Sequence, residues 1–187
     1  MFYHATRRLC PASRTLFLRR SYGSGVAALT ILSGESEVLV GAKSTIHAID
    51  GRAADVTGTV DVDAGTRLVG GRIEVPIAAL KSGNPLYDVE LQRRVDARRY
   101  PTIVGEVRTA TALGDDGLFR VEGDVLFHGV TRGVEGKVLV RSDGHRVRIE
   151  GEHVFDVREF GIKPPRILAL RVEPTVKVRL RLVAEPA

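Results

Sequence analysis

Apolar and charged residues alternate with a period of two along most of the chain after residue 37. Such alternation is typical of β-strands that have one buried and one solvated face. Clusters of Gly, Asp and Ser at residues 63–65, 114–117 and 142–144 predict turns between strands. An apolar run at residues 26–32 predicts one further short strand. The alternating segments lie at residues 56–62, 71–75, 105–108, 120–125, 134–140, 147–152 and 176–182.

About eight strands of this kind carry more one-sided apolar surface than an open sheet can bury. They must close into a barrel or pair into a sandwich, and the continuous charged face favours a barrel. One segment departs from the pattern, because Tyr87, Leu91 and Val95 follow helical spacing. This spacing predicts a short helix over residues 86–97, ended by Pro101 and lying across one end of the barrel. The predicted fold class is therefore all-β, an antiparallel barrel with one short helix.

Six glycines occur on the apolar side of the predicted strands. A glycine inside a strand costs about 0.5–1 kcal/mol relative to alanine, so something must offset the loss. One interpretation is that the missing side chains leave room for a ligand. The other is that the glycines let strands bend or bulge at the corners of a barrel. The six are Gly58, Gly71, Gly105, Gly123, Gly136 and Gly151.

The positive charge of the chain is concentrated at its amino terminus. The chain has 28 Lys and Arg against 23 Asp and Glu, a net charge of +5. Five arginines and no acidic residue lie within residues 1–24, so the remainder is electrically neutral. We expect a disordered basic arm at residues 1–24 and one barrel domain over residues 25–187. The neutral domain and the absence of Trp argue against nucleic-acid binding.

The cysteine count and the lengths of the apolar runs indicate whether the protein has disulfides and in which cellular compartment it is located. A single cysteine, Cys10, excludes an internal disulfide framework. No apolar run reaches membrane-spanning length, so stable membrane insertion is not expected. The arm lacks the apolar core of a secretion signal, which predicts a cytoplasmic protein. Its arginine-rich, acid-free composition leaves organellar or periplasmic targeting open as an alternative.

Three short motifs resemble a known family. Residues 95–103 contain an aspartate followed by Tyr100-Pro101, residues 121–132 end in His-Gly-Val-Thr-Arg, and residues 158–162 read Arg-Glu-Phe-Gly-Ile. Their order and spacing resemble the YceI-like family over roughly residues 36–183. The resemblance implies a lipocalin-like, extended antiparallel barrel. It also implies a long apolar pore that binds an isoprenoid chain, such as a polyprenyl phosphate or an isoprenoid quinone.

Candidate binding residues follow from the inward strand positions and from the motifs. Arg99, His128 and Arg132 could bind a head group, because imidazole and guanidinium N–H groups suit phosphate or a quinone carbonyl. Alternatively, His128 locks a tight turn. Arg93, Arg94, Arg98 and Arg99 form a basic group that either receives an anionic head group or a membrane surface or belongs to a solvated helix face. The residues predicted to line the pore are Val56, Val60, Ile73, Val107, Val121, Val125, Val138, Ile149, Phe155 and Phe160.

The leading hypothesis is a non-enzymatic carrier of a long isoprenoid lipid, with no cofactor besides that lipid and with a homodimer possible. A structural or stress-associated barrel without a ligand is the main alternative. An enzyme acting on a lipid head group would need His128 as acid or base with a second polar residue in reach. No metal site is expected, because His47, His145 and His153 are far apart and lack ligand spacing.

Overall fold

The computed structural model describes residues 25–63, 67–164, 166–167 and 170–186, so the predicted arm at residues 1–24 lies outside the described residues. These ranges contain one α-helix, α1 (Pro85–Arg94), and 3₁₀ helices at Ser33–Glu35, Ile77–Ala79 and Val157–Phe160. None of these helices is long and apolar enough to span a membrane. The strands are β1 (Ala27–Ile31), β2 (Glu37–Ser44), β3 (Ala48–Ala53), β4 (Thr57–Val62), β5 (Leu68–Pro76), β6 (Thr102–Ala112), β7 (Leu118–Phe127), β8 (Val130–Ser142), β9 (Val147–Asp156), β10 (Arg166–Ile167) and β11 (Leu170–Pro186).

Eight antiparallel strands close the barrel in the order β1, β4, β5, β6, β7, β8, β9 and β11, and β11 pairs back onto β1. Leu29 of β1 lies opposite Pro186 near the end of β11. Earlier residues of β11 pair with β2, which continues into the β2–β3 hairpin. A bridge between Arg52 and Lys81 joins β3 to the segment after β5. The predicted all-β barrel of about eight strands with one short helix is therefore confirmed.

The helix begins and ends for identifiable reasons. The Asn84 side chain accepts a hydrogen bond from the Leu86 amide at 3.0 Å and so caps the first turn. Pro85 occupies the first helical position, where its missing N–H is not needed. The helix ends at Arg94 instead of continuing to residue 97 as predicted, because Asp96 adopts a left-handed φ of 47°. Residues 95–100 continue as turns towards β6.

Apolar side chains form two clusters inside the barrel. The larger cluster includes Val62 and Phe119 at the end where β4 leads to β5, β6 to β7 and β8 to β9, and it extends along the barrel to Val75 near the far end of β5. The smaller cluster contains Ile77, Val95 and Phe160 and lies against α1. Burying a large apolar side chain contributes about 1.5–3 kcal/mol. Packing therefore stabilises both ends of the barrel.

The outer face of the barrel carries ion pairs between neighbouring strands. Arg108 of β6 lies 3.0 Å from Asp124 of β7, and Lys177 of β11 lies 2.9 Å from Glu152 of β9. Exposed pairs of this kind contribute about 1 kcal/mol or less each. The positions of these pairs show that the charged residues of the alternating pattern face water, and the apolar residues therefore face inward.

The six glycines predicted to face inward do not all have the same surroundings. All except Gly58 border the space inside the barrel. At Gly58 and Gly123, a Cβ atom would collide with a backbone carbonyl oxygen of the neighbouring strand. At Gly136, the only heavy atom within 4 Å of such a Cβ is His153 Nδ1, at 3.9 Å. Close strand approach therefore explains the first two glycines, and open interior space is available at the third.

Gly123→Ala and Gly136→Ala should have opposite effects on the free energy of unfolding. The first forces the new methyl group against the Glu106 carbonyl oxygen, and overpacking of this kind costs about 1–3 kcal/mol. The second has room, and it should stabilise the fold by about 0.4–1 kcal/mol by reducing the entropy of the unfolded chain. Urea unfolding of both variants measures the difference. Equal losses at the two positions would contradict the distinction between them.

Candidate functional site

A cavity of about 430 Å³ lies inside the barrel. Inward residues of β2 to β9 and β11 line it, together with one face of α1. Both apolar clusters contribute to the wall, with Val138 and Ile149 from the larger one and Val95 and Phe160 from the smaller one. The cavity therefore runs between the two packed ends of the barrel, and most of the side chains that face it are aliphatic or aromatic.

Most of the residues predicted to line a pore border this cavity, but Val56 does not. Val56 is fully buried within the larger apolar cluster, immediately before β4 begins at Thr57. Because it precedes the strand, the alternation of strand side chains does not set its direction. The strands β2 and β3 add lining residues that alternation did not single out, among them Val40 and Ile49. The predicted residues that border the cavity are Val60, Ile73, Val107, Val121, Val125, Val138, Ile149, Phe155 and Phe160.

His128 lies outside the cavity lining, in the turn between β7 and β8. It adopts a left-handed φ of 51°, and Gly129 follows with a φ of 74°. The Nδ1–H group donates to the Phe160 carbonyl oxygen at 3.0 Å, and the ring packs edge-on against Tyr100 with 5.0 Å between centroids. These contacts tie the turn to the 3₁₀ helix at Val157–Phe160. They favour the turn-locking interpretation over the predicted head-group role.

Arg132 and Arg99 also lie outside the cavity lining. Arg132 Nε donates to the Glu159 carbonyl oxygen at 2.9 Å, which adds a second tie between β8 and the same 3₁₀ helix. The guanidinium carbon of Arg99 lies 5.2 Å from the centroid of the Tyr100 ring. The group predicted to bind a head group is thus engaged in packing around one turn. The His-Gly-Val-Thr-Arg motif at residues 128–132 stands out in the sequence because a left-handed turn favours particular residues.

The helix α1 brings to the cavity a polar group that the motifs did not indicate. Tyr87, Glu90 and Arg94 lie on one helix face and border the cavity. Arg94 Nη2 donates to Glu90 Oε1 at 2.6 Å. Arg93, whose side chain is 68% exposed, reaches the same carboxylate from the solvent side. The prediction of a solvated arginine face therefore holds for Arg93 but not for Arg94, whose side chain is 30% exposed.

Hydrogen bonds hold the carboxylates of Glu90 and Asp88 in the charged form. Those from Arg94 and then Arg93 lower the pKa of Glu90. A 2.7 Å hydrogen bond from the Ser82 hydroxyl is the largest cause that lowers the pKa of Asp88, which also borders the cavity. Both groups are therefore ionised at neutral pH. By contrast, Arg94 Nε is buried and makes no hydrogen bond in the described part of the chain, and a buried unpaired donor is costly.

His153 is a further polar side chain in the lining. Its ring packs edge-on against Phe155, with 4.6 Å between centroids, and its Nδ1 faces the open space at Gly136. Within the described ranges, no group of three or more His, Cys, Asp or Glu residues is arranged to hold a metal ion.

A closed antiparallel barrel around an apolar cavity defines a lipocalin-like class of β-barrel. The profile of the YceI-like domain matches residues 30–184, and the chain belongs to the YceI-like family. The family resemblance carried by the three sequence motifs is therefore confirmed. Among curated proteins, none matches the chain.

Several solved structures share this fold at low sequence identity. BcnA of Burkholderia cenocepacia is 18% identical, with a TM-score of 0.74 over 82% of this chain and 99% of its own. A polyisoprenoid-binding domain from Saccharophagus degradans is 13% identical, with a TM-score of 0.71 over 87% and 99%. The YceI protein of Campylobacter jejuni is 15% identical, with a TM-score of 0.64 over 76% and 88%. At these identities the likeness concerns the fold alone.

His128→Asn should destabilise the fold without changing the cavity. Asparagine tolerates the left-handed turn but cannot reproduce the imidazole contacts, so the Phe160 carbonyl oxygen loses its donor. We expect the free energy of unfolding to fall by about 1–3 kcal/mol. Thermal unfolding measures the loss, and uptake of a hydrophobic fluorescent probe reports on the cavity. A variant that keeps the stability of the wild type but no longer takes up the probe would contradict the turn-locking interpretation and support a binding role for His128.

Proposed function

We propose that this barrel binds and carries a long isoprenoid lipid in its interior, without catalysing a reaction on it. The observation that carries the proposal is the 430 Å³ cavity lined by apolar side chains along the barrel axis. Volumes of about 300–1,000 Å³ are usual for sites that enclose a small molecule. The proposal draws further support from the family and from the polyisoprenoid-binding domain that shares the fold.

The lining suits a flexible hydrocarbon better than a polar metabolite. Side chains such as Val60, Ile73 and Val107 offer dispersion contacts and no hydrogen bonds. Each methylene-sized group moved from water into such surroundings contributes about 0.8 kcal/mol, so a long chain gains affinity along its length. A methyl-branched isoprenoid chain fits this wall, and the wall by itself discriminates little between chain lengths.

A binding role is supported over an enzymatic one by the position of His128. This residue was the candidate acid or base for a reaction at a lipid head group. It lies outside the cavity lining, with its Nδ1–H group engaged by the Phe160 carbonyl oxygen. A general acid or base must reach the reacting atom directly or through one water, and His128 is not placed to do so from the turn that it locks.

Native mass spectrometry of the purified protein, followed by solvent extraction, tests the proposal. We expect a bound mass that extracts as a prenyl lipid, or saturable uptake of a prenyl lipid added to delipidated protein. A barrel that is isolated empty and takes up no prenyl lipid would overturn the proposal. That result would instead favour a structural or stress-associated barrel without a ligand.

Gly136→Leu should fill the cavity and weaken lipid binding at least tenfold while the fold is retained. Gly136 is the lining glycine beside open space, whereas leucine at Gly123 would meet backbone and test folding instead. Gly133→Leu is the matched control, because Gly133 lies on the same strand but outside the lining, on the exposed side. Titration of both variants with a fluorescent prenyl lipid makes the comparison. Equal binding by the two would show that the chain does not occupy this part of the cavity.

A further inference from the structure

The cavity-facing side of α1 differs from the rest of the lining because it is polar. Residues 87, 90, 91, 94 and 95 recur at the spacing of one helix face, and all of them border the cavity. Leu91 and Val95 are apolar and pack with the smaller cluster. Glu90 and Arg94 supply carboxylate and guanidinium groups at the same end, whereas the Tyr87 hydroxyl lies 3.4 Å from the exposed His47 Nε2. A lipid lying along the barrel axis therefore meets hydrocarbon along most of its length and polar groups here.

The Arg94 guanidinium has N–H groups beyond the one that donates to Glu90. One Nη group is held by Glu90 at 2.6 Å, and this is the partner that the described residues provide for the side chain. The Nε group is enclosed by the protein and has no hydrogen-bond partner among the residues that the structure describes. Guanidinium presents its donors in one plane, so an acceptor oxygen placed beside it can receive more than one hydrogen bond. Arg94 borders the cavity and its side chain is 30% exposed, so an oxygen at the end of a bound lipid would receive its hydrogen bonds from the Nη groups and not from the enclosed Nε.

The charges around Arg94 decide whether a charged or an uncharged oxygen of a lipid head group is favoured beside it. Glu90 and Asp88 both border the cavity and both carry a negative charge at neutral pH, for the reasons given above. Arg94 balances one of them. Two other cations lie nearby, Arg93 beside Glu90 and Lys81 close enough to Asp88 to help lower its pKa, and neither of them borders the cavity. A phosphate or diphosphate entering here would approach two carboxylates, whereas a neutral oxygen acceptor would approach a charged donor without that repulsion.

We infer that the guanidinium of Arg94 donates hydrogen bonds to an uncharged oxygen of the lipid head group, a carbonyl such as that of a prenylated quinone, and that this end of the cavity disfavours anionic heads. The inference rests on the proposed function, since it assumes that a lipid chain fills the barrel. It assigns the head-group role to Arg94 of α1 instead of to the predicted residues Arg99, His128 and Arg132.

Three probes with comparable prenyl tails test this assignment: a prenylated benzoquinone, a prenyl monophosphate and a prenyl hydrocarbon. Each is titrated against the full chain and against Arg94→Gln and Arg93→Gln. The wild type should bind the quinone about tenfold or more tightly than the hydrocarbon, the usual size for a hydrogen bond from a charged donor. It should bind the phosphate more weakly than the quinone. Arg94→Gln should abolish the preference for the quinone over the hydrocarbon.

Arg93→Gln is the matched control, because it removes the same charge from the next residue and the same Glu90 partner, but from the solvent side. It should keep the preference for the quinone. Binding of the hydrocarbon reports whether each variant still forms the cavity, and Glu90 keeps one arginine partner in either variant. Equal effects of the two variants, or a wild type that binds the phosphate most tightly, would overturn the inference. If the wild type binds none of the three probes, the proposed function itself is wrong.

Discussion

Closure of the barrel by β11 is the constraint on which the rest of the structure depends. This strand pairs with β9 along one edge and with β2 and then β1 along the other. In the closed ring of eight strands the backbone groups of each strand find partners in its neighbours, so side chains form the inner face. Beyond this ring, β3 pairs with β2 and meets the segment after β5 through the single bridge between Arg52 and Lys81. With apolar residues at most of those inward positions, the interior is a cavity bounded mainly by Val, Ile, Leu and Phe. The capacity to enclose a hydrocarbon follows from hydrogen-bond closure.

The two ends of the barrel are built by different means, and this gives the cavity a direction. At the end where the hairpin turns meet β1, aliphatic side chains and Phe119 pack together. At the other end, α1 contributes an apolar residue pair and, on the same face, the Glu90–Arg94 ion pair. A molecule with a long apolar tail and a small polar head matches this arrangement. The turn locked by His128 supports the wall beside α1 through its hydrogen bond to Phe160.

How far the interior could be predicted depended on whether a position lay within a regular strand. Alternation located lining residues such as Val121 and Val125, because the pleat fixes which side of a strand each residue faces. It failed at Val56, which stands just outside a strand, and it could not separate Gly123 from Gly136. The motif at His128 led to the head-group prediction, whereas in the structure His128, Arg99 and Arg132 lie outside the cavity lining and pack around one turn. Arg94 could not be separated from Arg93, Arg98 and Arg99, because the sequence does not show which of these arginines turns towards the cavity.

The sequence alone determined that the chain forms strands with an apolar and a charged face and that one short helix interrupts them, and it favoured a barrel over a sandwich. Those properties are local, since they depend on the period of the side chains and on the turn residues between them. The tertiary structure decided the size of the cavity, which glycine touches backbone and which borders open space, and which arginine turns inward. These depend on distances between strands that are remote in the chain, and no periodicity along one strand reports the position of another.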